Sequence, residues 1–154
     1  MPTFIATIAL VLSQGAPPDP LLARLVGEWA GEGTVLETRA DVRLTWAWTL
    51  DGEFLQLRFV NEMGKRRFEG HAYYRALGNG RYRGWWFDNS GMMRPIEAVQ
   101  DGDAIVATWG TPETEVGETT YRLSPSGAME ILDRVRGKNG QWRDFGRTLL
   151  TRSQ

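Results

Sequence analysis

The residues with the clearest potential for acid–base chemistry surround His71, the only histidine of the chain. Glu69, His71 and Tyr73 follow one another at two-residue steps in a stretch typical of a β-strand, so we expect their side chains on one face. A carboxylate beside an imidazole raises the proton affinity of the ring, and such a pair could transfer protons. Strands also carry polar triplets on their solvent face, where they have no catalytic role. The sequence leaves both interpretations open.

Arginines in the predicted strands are a second source of binding chemistry. An arginine that points into a cavity can hold a carboxylate through two parallel hydrogen bonds. Most arginines of a sheet cover its outer face instead, because arginine is seldom buried without a partner. We select Arg94 as the candidate ligand-binding residue among the five arginines that fall within strands, which are Arg58, Arg94, Arg122, Arg134 and Arg147.

Composition argues against several other kinds of chemistry. The chain has no cysteine and one histidine, which removes thiolate catalysis and makes a dedicated zinc site improbable. Glu113, Glu115 and Glu118 are spread over a predicted loop, which is a poor arrangement for Ca²⁺ or Mg²⁺. We therefore predict no metal site. The net charge is −1 and no run of Lys or Arg forms a basic patch, so nucleic acid is not an expected partner.

A period-two pattern shows which elements position these residues. Val42, Leu44, Trp46 and Trp48 alternate with small or polar residues, which predicts a half-buried strand that ends at Leu50. A two-residue hairpin signal, Asp-Gly, follows at 51–52. Further turn signals lie at 63–64, 79–80, 89–91, 101–102, 126–127 and 139–140, with short runs of aromatic and β-branched residues between them. The interval 110–117, with one proline and two glutamates, predicts a longer loop.

About ten strands joined by tight turns predict an antiparallel meander, in which neighbours in sequence are neighbours in the sheet. A meander of this length leaves two exposed edges unless it closes on itself. The predicted fold class is therefore all-β: an antiparallel up-and-down β-barrel of about ten strands with a short N-terminal helix. We expect Asp19 to cap that helix, Pro20 to occupy its first turn and Gly27 to end it, and the helix to close one end of the barrel.

A large ring stands among glycines at the start of the first strand, in the motif LVGEWAGEG at residues 25–33. A Gly-x-Trp at this point resembles the signature of the calycin barrels, which are the lipocalins and their relatives. The resemblance implies that Trp29 closes one end of the barrel and stacks on an arginine of the last strand. Arg147 is the expected partner, so we assign structural roles to Trp29 and Arg147.

The order of helix, Gly-Glu-Trp motif and meander over residues 21–151 is similar to that of two groups. LDGEFL at 50–55 and YRGWWFDNSG at 82–91 most resemble uncharacterised bacterial lipocalin-like domains, and the whole more distantly resembles the nitrobindin-type haem barrels. The second resemblance implies a haem iron held by a histidine on a late strand, but the corresponding stretch, TPETEV at 111–116, has none. Haem held by His71 is the alternative, since one histidine can ligate the iron; otherwise we expect no cofactor.

The N-terminal residues resemble an export signal. Residues 4–12 are an apolar run too short to span a bilayer but of the length of a signal-peptide core, and small residues at 13–15 suit cleavage before Ala16. We predict a signal peptide at 1–15 and a single lipocalin-like domain at 16–154. If the signal is used, the protein is periplasmic or secreted and has no stable membrane insertion; otherwise it is cytoplasmic.

The predicted function is binding of one small apolar or amphipathic ligand, without catalysis, because a barrel of this size has room for one. The candidate ligand-binding residues are Trp46, Trp48, Phe59, His71, Tyr73, Trp86, Arg94 and Trp109. The alternatives are a haem barrel, an acid–base enzyme that uses His71 with Glu69 or Asp88, and a homodimer that buries exposed rings.

Overall fold

Tight turns join each strand to the next, and the computed structural model, which describes residues 18–154, shows ten antiparallel strands closed into one barrel. The first strand pairs with the last, from Trp29 opposite Arg152 to Val35 opposite Gly146, so the sheet has no open edge. The predicted fold class is confirmed. The signal peptide predicted at 1–15 lies outside the described residues.

One short helix and ten strands follow each other within residues 18–154. The helix α1 spans Pro20–Leu25. The strands are β1 (Gly27–Val35), β2 (Thr38–Thr49), β3 (Phe54–Met63), β4 (Arg66–Gly78), β5 (Arg81–Asp88), β6 (Met93–Asp101), β7 (Ala104–Thr111), β8 (Glu115–Leu123), β9 (Met129–Arg136) and β10 (Trp142–Arg152).

The predicted long loop at 110–117 is wrong. Strand β7 continues to Thr111 and β8 begins at Glu115, so only three residues connect them. Gly110 has a positive φ of 84°, and a Cβ at this position would overlap the carbonyl oxygen of Glu115. A glycine is therefore needed for this close approach, and it lets the two strands pair almost to the turn.

Helix α1 closes one end of the barrel, as expected from its sequence. Oδ1 of Asp19 accepts hydrogen bonds of 3.0 Å from the backbone N–H groups of Leu21 and Leu22, which caps the helix. Leu21, Leu22 and Leu25 are buried in the same apolar cluster as the inward side chains of the strands. The Tyr82 hydroxyl also donates to Asp19, which joins the helix to β5.

Trp29 closes the same end, but its arginine partner is Arg152 and not Arg147. The Arg152 guanidinium lies 4.3 Å from the centre of the Trp29 ring and donates to the backbone carbonyls of Arg24 and Val26, both at 2.6 Å. Arg147 is exposed on the outer face, 3.8 Å from Glu130. Arg147 and Arg152 are five residues apart along β10, and an odd offset places their side chains on opposite faces of the strand.

The interior differs between the two ends of the barrel. Towards the helix, large side chains such as Trp46, Leu57 and Ile131 fill the lumen and are almost completely buried. Towards the other end, inward positions carry glycines and polar residues, and a cavity opens between the walls. No helix in residues 18–154 is long and apolar enough to cross a membrane.

Candidate functional site

The candidate site is a cavity of about 490 Å³ at the end of the barrel opposite the helix. Its mouth is formed at the β1–β2, β3–β4 and β5–β6 connections, where Leu36, Arg66 and Met92 contribute. Its walls are mainly aromatic, with rings from Phe59, Phe68, Tyr74, Trp86, Trp109, Tyr121 and Phe145. Small-molecule sites have this size and this mixture of apolar walls with a few polar groups.

Two tryptophans lie flat against the wall because each covers a glycine of the neighbouring strand. A Cβ at Gly70 would overlap the Trp86 ring, and a Cβ at Gly117 would overlap the Trp109 ring. The indole N–H of Trp86 donates to Asp88 at 2.9 Å, which fixes the orientation of that ring. The glycines therefore leave space for large rings while the lumen stays open.

A hydrogen-bonded chain of three residues crosses the cavity wall from β7 to β9. The Trp109 indole N–H donates to Oγ1 of Thr119 at 3.1 Å, and the Thr119 hydroxyl donates to Oδ1 of Asp133 at 2.6 Å. Burial raises the pKa of Asp133 from its ordinary 3.8 to about 6, and the Thr119 hydrogen bond offsets part of this effect. Asp133 is thus a lumen carboxylate that changes charge near pH 6.

Two tyrosines form the floor of the cavity above a buried tryptophan. The Trp46 ring packs against Tyr74 with centroids 5.6 Å apart and edge-on against Tyr121 at 5.2 Å. Burial raises the pKa of Tyr74 and of Tyr121 well above the usual value of a phenol, and the charge of Asp133 adds to both shifts. Both phenols are therefore neutral hydrogen-bonding groups at any ordinary pH.

Asn61 is a polar residue at an inward position of β3, on the cavity wall. Its side chain is only 4% exposed, and its Oδ1 has no hydrogen-bond partner within residues 18–154. A buried acceptor without a partner costs free energy, of the order of 1–3 kcal/mol. Because Asn61 lines the cavity, a rotation of its amide would present this acceptor to a donor there.

Arg94 lies at the mouth of the cavity, and its role in ligand binding stays a prediction. Its guanidinium is 5.0 Å from the centre of the Trp109 ring and 3.2 Å from the Glu115 carboxylate. The side chain is 17% exposed. Trp109 is therefore held between Gly117 on one side and the paired cation on the other, which adds a cation–π contact.

The His71 group lies on the outer face of the barrel, so its predicted ligand and acid–base roles in the lumen are wrong. Gly70, Ala72 and Tyr74 are the buried, inward residues of β4, and Glu69, His71 and Tyr73 alternate with them. They do share one face, as expected, and His71 Nε2 is 3.2 Å from Glu69 Oε1. Arg58, Arg67 and His71 hydrogen-bond to Glu69 and lower its pKa to about 2, so the cluster is an ion-pair network.

Asp88, the other suggested partner of His71, lines the cavity on the inner face and accepts a hydrogen bond from the Ser90 hydroxyl. The barrel wall therefore separates it from His71. The outward position of His71 also keeps the only histidine away from any haem in the lumen, so the residues do not fit haem ligation by His71. Within the described part of the chain, no group of three or more His, Cys, Asp or Glu could hold a metal ion.

The predicted ligand-binding residues thus fall into three groups, of which the first, His71 and Tyr73, lies on the outer face of the barrel. Phe59, Trp86, Arg94 and Trp109 come together in the cavity, where their role in binding stays a prediction. Trp46 is buried beneath its floor and Trp48 packs against the core, so neither is a wall residue. Sequence reasoning missed the polar groups at Asn61, Thr119 and Asp133. The available signal was a polar residue at an inward position of an otherwise apolar strand face.

Trp85, Phe87 and Met93 are exposed on the outer face of β5 and β6. Trp85 lies opposite Tyr73, and Phe87 lies opposite His71 on one side and Met93 on the other. These contacts place an apolar stripe beside the Glu69 network. The homodimer suggested by the sequence stays a prediction.

Comparison with known proteins supports the fold. No family model and no curated sequence matches the chain. Among solved structures, Rv2717c from M. tuberculosis is similar with a TM-score of 0.69 and 16% identity, over 90% of this chain and all of that one. An S-type phycobiliprotein lyase, CPES from Guillardia theta, is similar with a TM-score of 0.61 and 7% identity, over 86% of this chain and 90% of that one. Both likenesses concern the barrel fold.

Proposed function

We propose that this protein binds a small apolar or amphipathic molecule inside a calycin-like barrel. The observation that carries the proposal is the aromatic cavity of about 490 Å³, which two tryptophans line without blocking it. Because apolar burial contributes about 25 cal/mol per Å², a ligand enclosed by these rings gains several kcal/mol of affinity. The similar solved structures support the container, since barrels with an open lumen often hold one ligand.

We propose further that binding is not coupled to catalysis by the residues first suspected. The acid–base pair suggested by the sequence, Glu69 and His71, faces solvent across the barrel wall from the cavity. Inside the cavity, Asp133 accepts a hydrogen bond from Thr119, Thr119 accepts one from Trp109, and Asp88 accepts one from Ser90. These bonds fix the orientation of polar groups that a ligand would contact. The protein is in this view a binding module.

The experiment is a titration with N-pentyl dansylamide, a neutral apolar fluorophore, followed by energy transfer from tryptophan. We expect saturable binding of one probe per chain. Gly117→Ala places a methyl group where the Trp109 ring now lies, so the ring must move into the lumen. This variant should weaken binding by about tenfold or more, which corresponds to about 1.4 kcal/mol.

Two controls separate a blocked cavity from a damaged fold. Thr108→Ala removes an exposed group on the outer face of β7 next to Trp109 and should bind like the unchanged protein. The double variant Gly117→Ala with Trp109→Ala removes the displaced ring and should recover much of the lost affinity. The proposal fails if no probe binds, or if Gly117→Ala binds as well as the unchanged protein while remaining folded.

A further inference from the structure

Two side chains on the cavity wall present acceptor oxygens, beside the neutral phenols of Tyr74 and Tyr121, which can donate or accept. Asp133 receives one hydrogen bond, from Thr119 to Oδ1. Asn61 presents an Oδ1 that is buried and has no partner within residues 18–154. The two lie on well-separated walls, because β2, β1 and β10 stand between β3 and β9 in the barrel. A ligand that satisfies them must bring hydrogen-bond donors.

We propose that the lumen selects ligands that carry a protonated amine, with Asp133 as the counter-ion of the amine and Asn61 as an acceptor for a second donor group elsewhere on the ligand. The inference rests on the proposed ligand-binding function and names its ligand class. An ammonium group has three donors and no acceptor, so it is matched to the Asp133 carboxylate. Asn61, on the well-separated wall, is left for a donor at another point of the ligand. A ligand with an apolar body and such a head group would use both the rings and the acceptors.

The aromatic walls favour the same class. Trp86 stacks on Phe68, with centroids 6.1 Å apart and planes inclined by 15°, and it contacts Phe59 at 6.2 Å. Trp109 contacts Phe145 edge-on at 6.5 Å. The negative face of an aromatic ring attracts a cation, and Trp109 already holds the Arg94 guanidinium in this way.

The arginines around the cavity do not reverse this preference, because the charges of two of them are compensated locally. Arg94 is paired with Glu115 at 3.2 Å, and Arg67 is paired with Glu69 at 2.8 Å. Arg66 is an exposed residue at the mouth, where water and salt screen its charge. Asp88 adds a carboxylate at that end of the cavity. At depth, Asp133 is the charged side chain, and burial places its pKa near 6, so it is ionised at pH 8.

Three dansyl probes of similar size test the inference at pH 8. Dansylcadaverine carries a primary amine on a five-carbon tail, N-pentyl dansylamide has the same tail without the amine, and dansyl-aminohexanoic acid carries a carboxylate. We expect dansylcadaverine to bind about tenfold more tightly than the neutral probe, because a hydrogen bond to a charged group contributes about 1.5–3 kcal/mol. The carboxylate probe should bind most weakly.

Asp133→Asn should abolish the advantage of the amine while the neutral probe still binds, since asparagine keeps the shape and an acceptor for Thr119. Asp101→Asn removes the same charge from the outside, where Asp101 pairs with Arg122, and should leave the advantage intact. Equal affinities for the amine and the neutral probe, or an unchanged preference in Asp133→Asn, would overturn the inference and leave the binding function standing. Failure of all three probes to bind would instead overturn the proposed function.

Discussion

Replacing Asp133 with asparagine should stabilise the ligand-free protein at pH 8 and have little effect near pH 4. The carboxylate lies within the barrel wall with one hydrogen bond, from Thr119, and its burial raises its pKa to about 6. The folded state therefore favours the protonated form, and ionisation above that pH opposes folding. Asparagine has nearly the same shape and never ionises.

The magnitude follows from the two pKa values. In the unfolded chain the group titrates near 3.8, and in the folded chain near 6. Between these values the folded state binds more protons than the unfolded state, so stability falls as the pH rises and stays lower above pH 6. At about 1.4 kcal/mol per pH unit, the full difference is about 3 kcal/mol at pH 8 and less than about 1 kcal/mol at pH 4.

Urea unfolding followed by tryptophan fluorescence measures this difference directly. The free energies of unfolding of the unchanged protein and of Asp133→Asn should diverge from pH 4 to pH 6 and run parallel from pH 7 to pH 9. An advantage of the variant that is the same at all pH values, or a variant that is less stable at pH 8, would refute the reasoning. The destabilisation by the ionised Asp133 also has a functional meaning. An amine bound to the carboxylate would offset it, and functional groups often trade stability for binding.

Three further predictions concern residues whose roles the structure reassigned. Arg152→Ala should lower the free energy of unfolding by about 2–3 kcal/mol, because it loses the contact with Trp29 and two hydrogen bonds to the carbonyls of Arg24 and Val26. Arg147→Ala should change the free energy of unfolding by less than about 0.5 kcal/mol. Equal losses in urea unfolding would contradict the assignment of Arg152 as the partner of Trp29. Glu69→Gln should reduce stability at pH 7 but not at pH 2. The ionised Glu69, with its lowered pKa, stabilises the fold fully above the ordinary value of 4.5, and this stabilisation is lost as the pH falls towards 2. Thermal unfolding at both pH values decides this. Any Soret band seen on adding hemin should be the same in His71→Gln, because His71 faces away from the lumen; loss of the band in the variant would restore the haem alternative.

The fold followed from local signals that agree with each other. Alternation at Val42, Leu44 and Trp46 and glycine turns such as that at 51–52 define strands and connections, and closure follows from the need to remove edges. The β1–β2 turn was harder to find, because Leu36 and Glu37 adopt positive φ without a glycine. The loop predicted at 110–117 is too long, because Gly110, which the close pairing of β7 and β8 requires, looks like a turn residue in the sequence.

The candidate site was only partly predictable. Phe59, Trp86 and Trp109 could be selected as lumen rings by type, but the neighbours Trp85 and Trp86 could not be told apart until the register fixed Trp86 inside. Asp133 lies two residues after Ile131, on the same inward face of β9, so its position carried a signal. Its pKa and its contact with Thr119 depend on three strands meeting, which sequence spacing does not encode.

His71 shows why residue type alone misleads. Its spacing from Glu69 and Tyr73 correctly placed the three on one face, but alternation does not say which face of a strand is inside. Arg147 failed for a related reason, since the register of β10 against β1 decides which arginine reaches Trp29. Both errors concern which face of a strand lies inside the barrel or how two strands are aligned. Pairing between distant parts of the chain decides both.

The most direct test of the central claim is a crystal structure of the protein with N-pentyl dansylamide. The account predicts electron density for one probe inside the barrel, between the rings of Trp86 and Trp109 and within reach of Asp133. Density for the probe on the outer stripe of Trp85 and Phe87, with a lumen closed by movement of its rings, would contradict it.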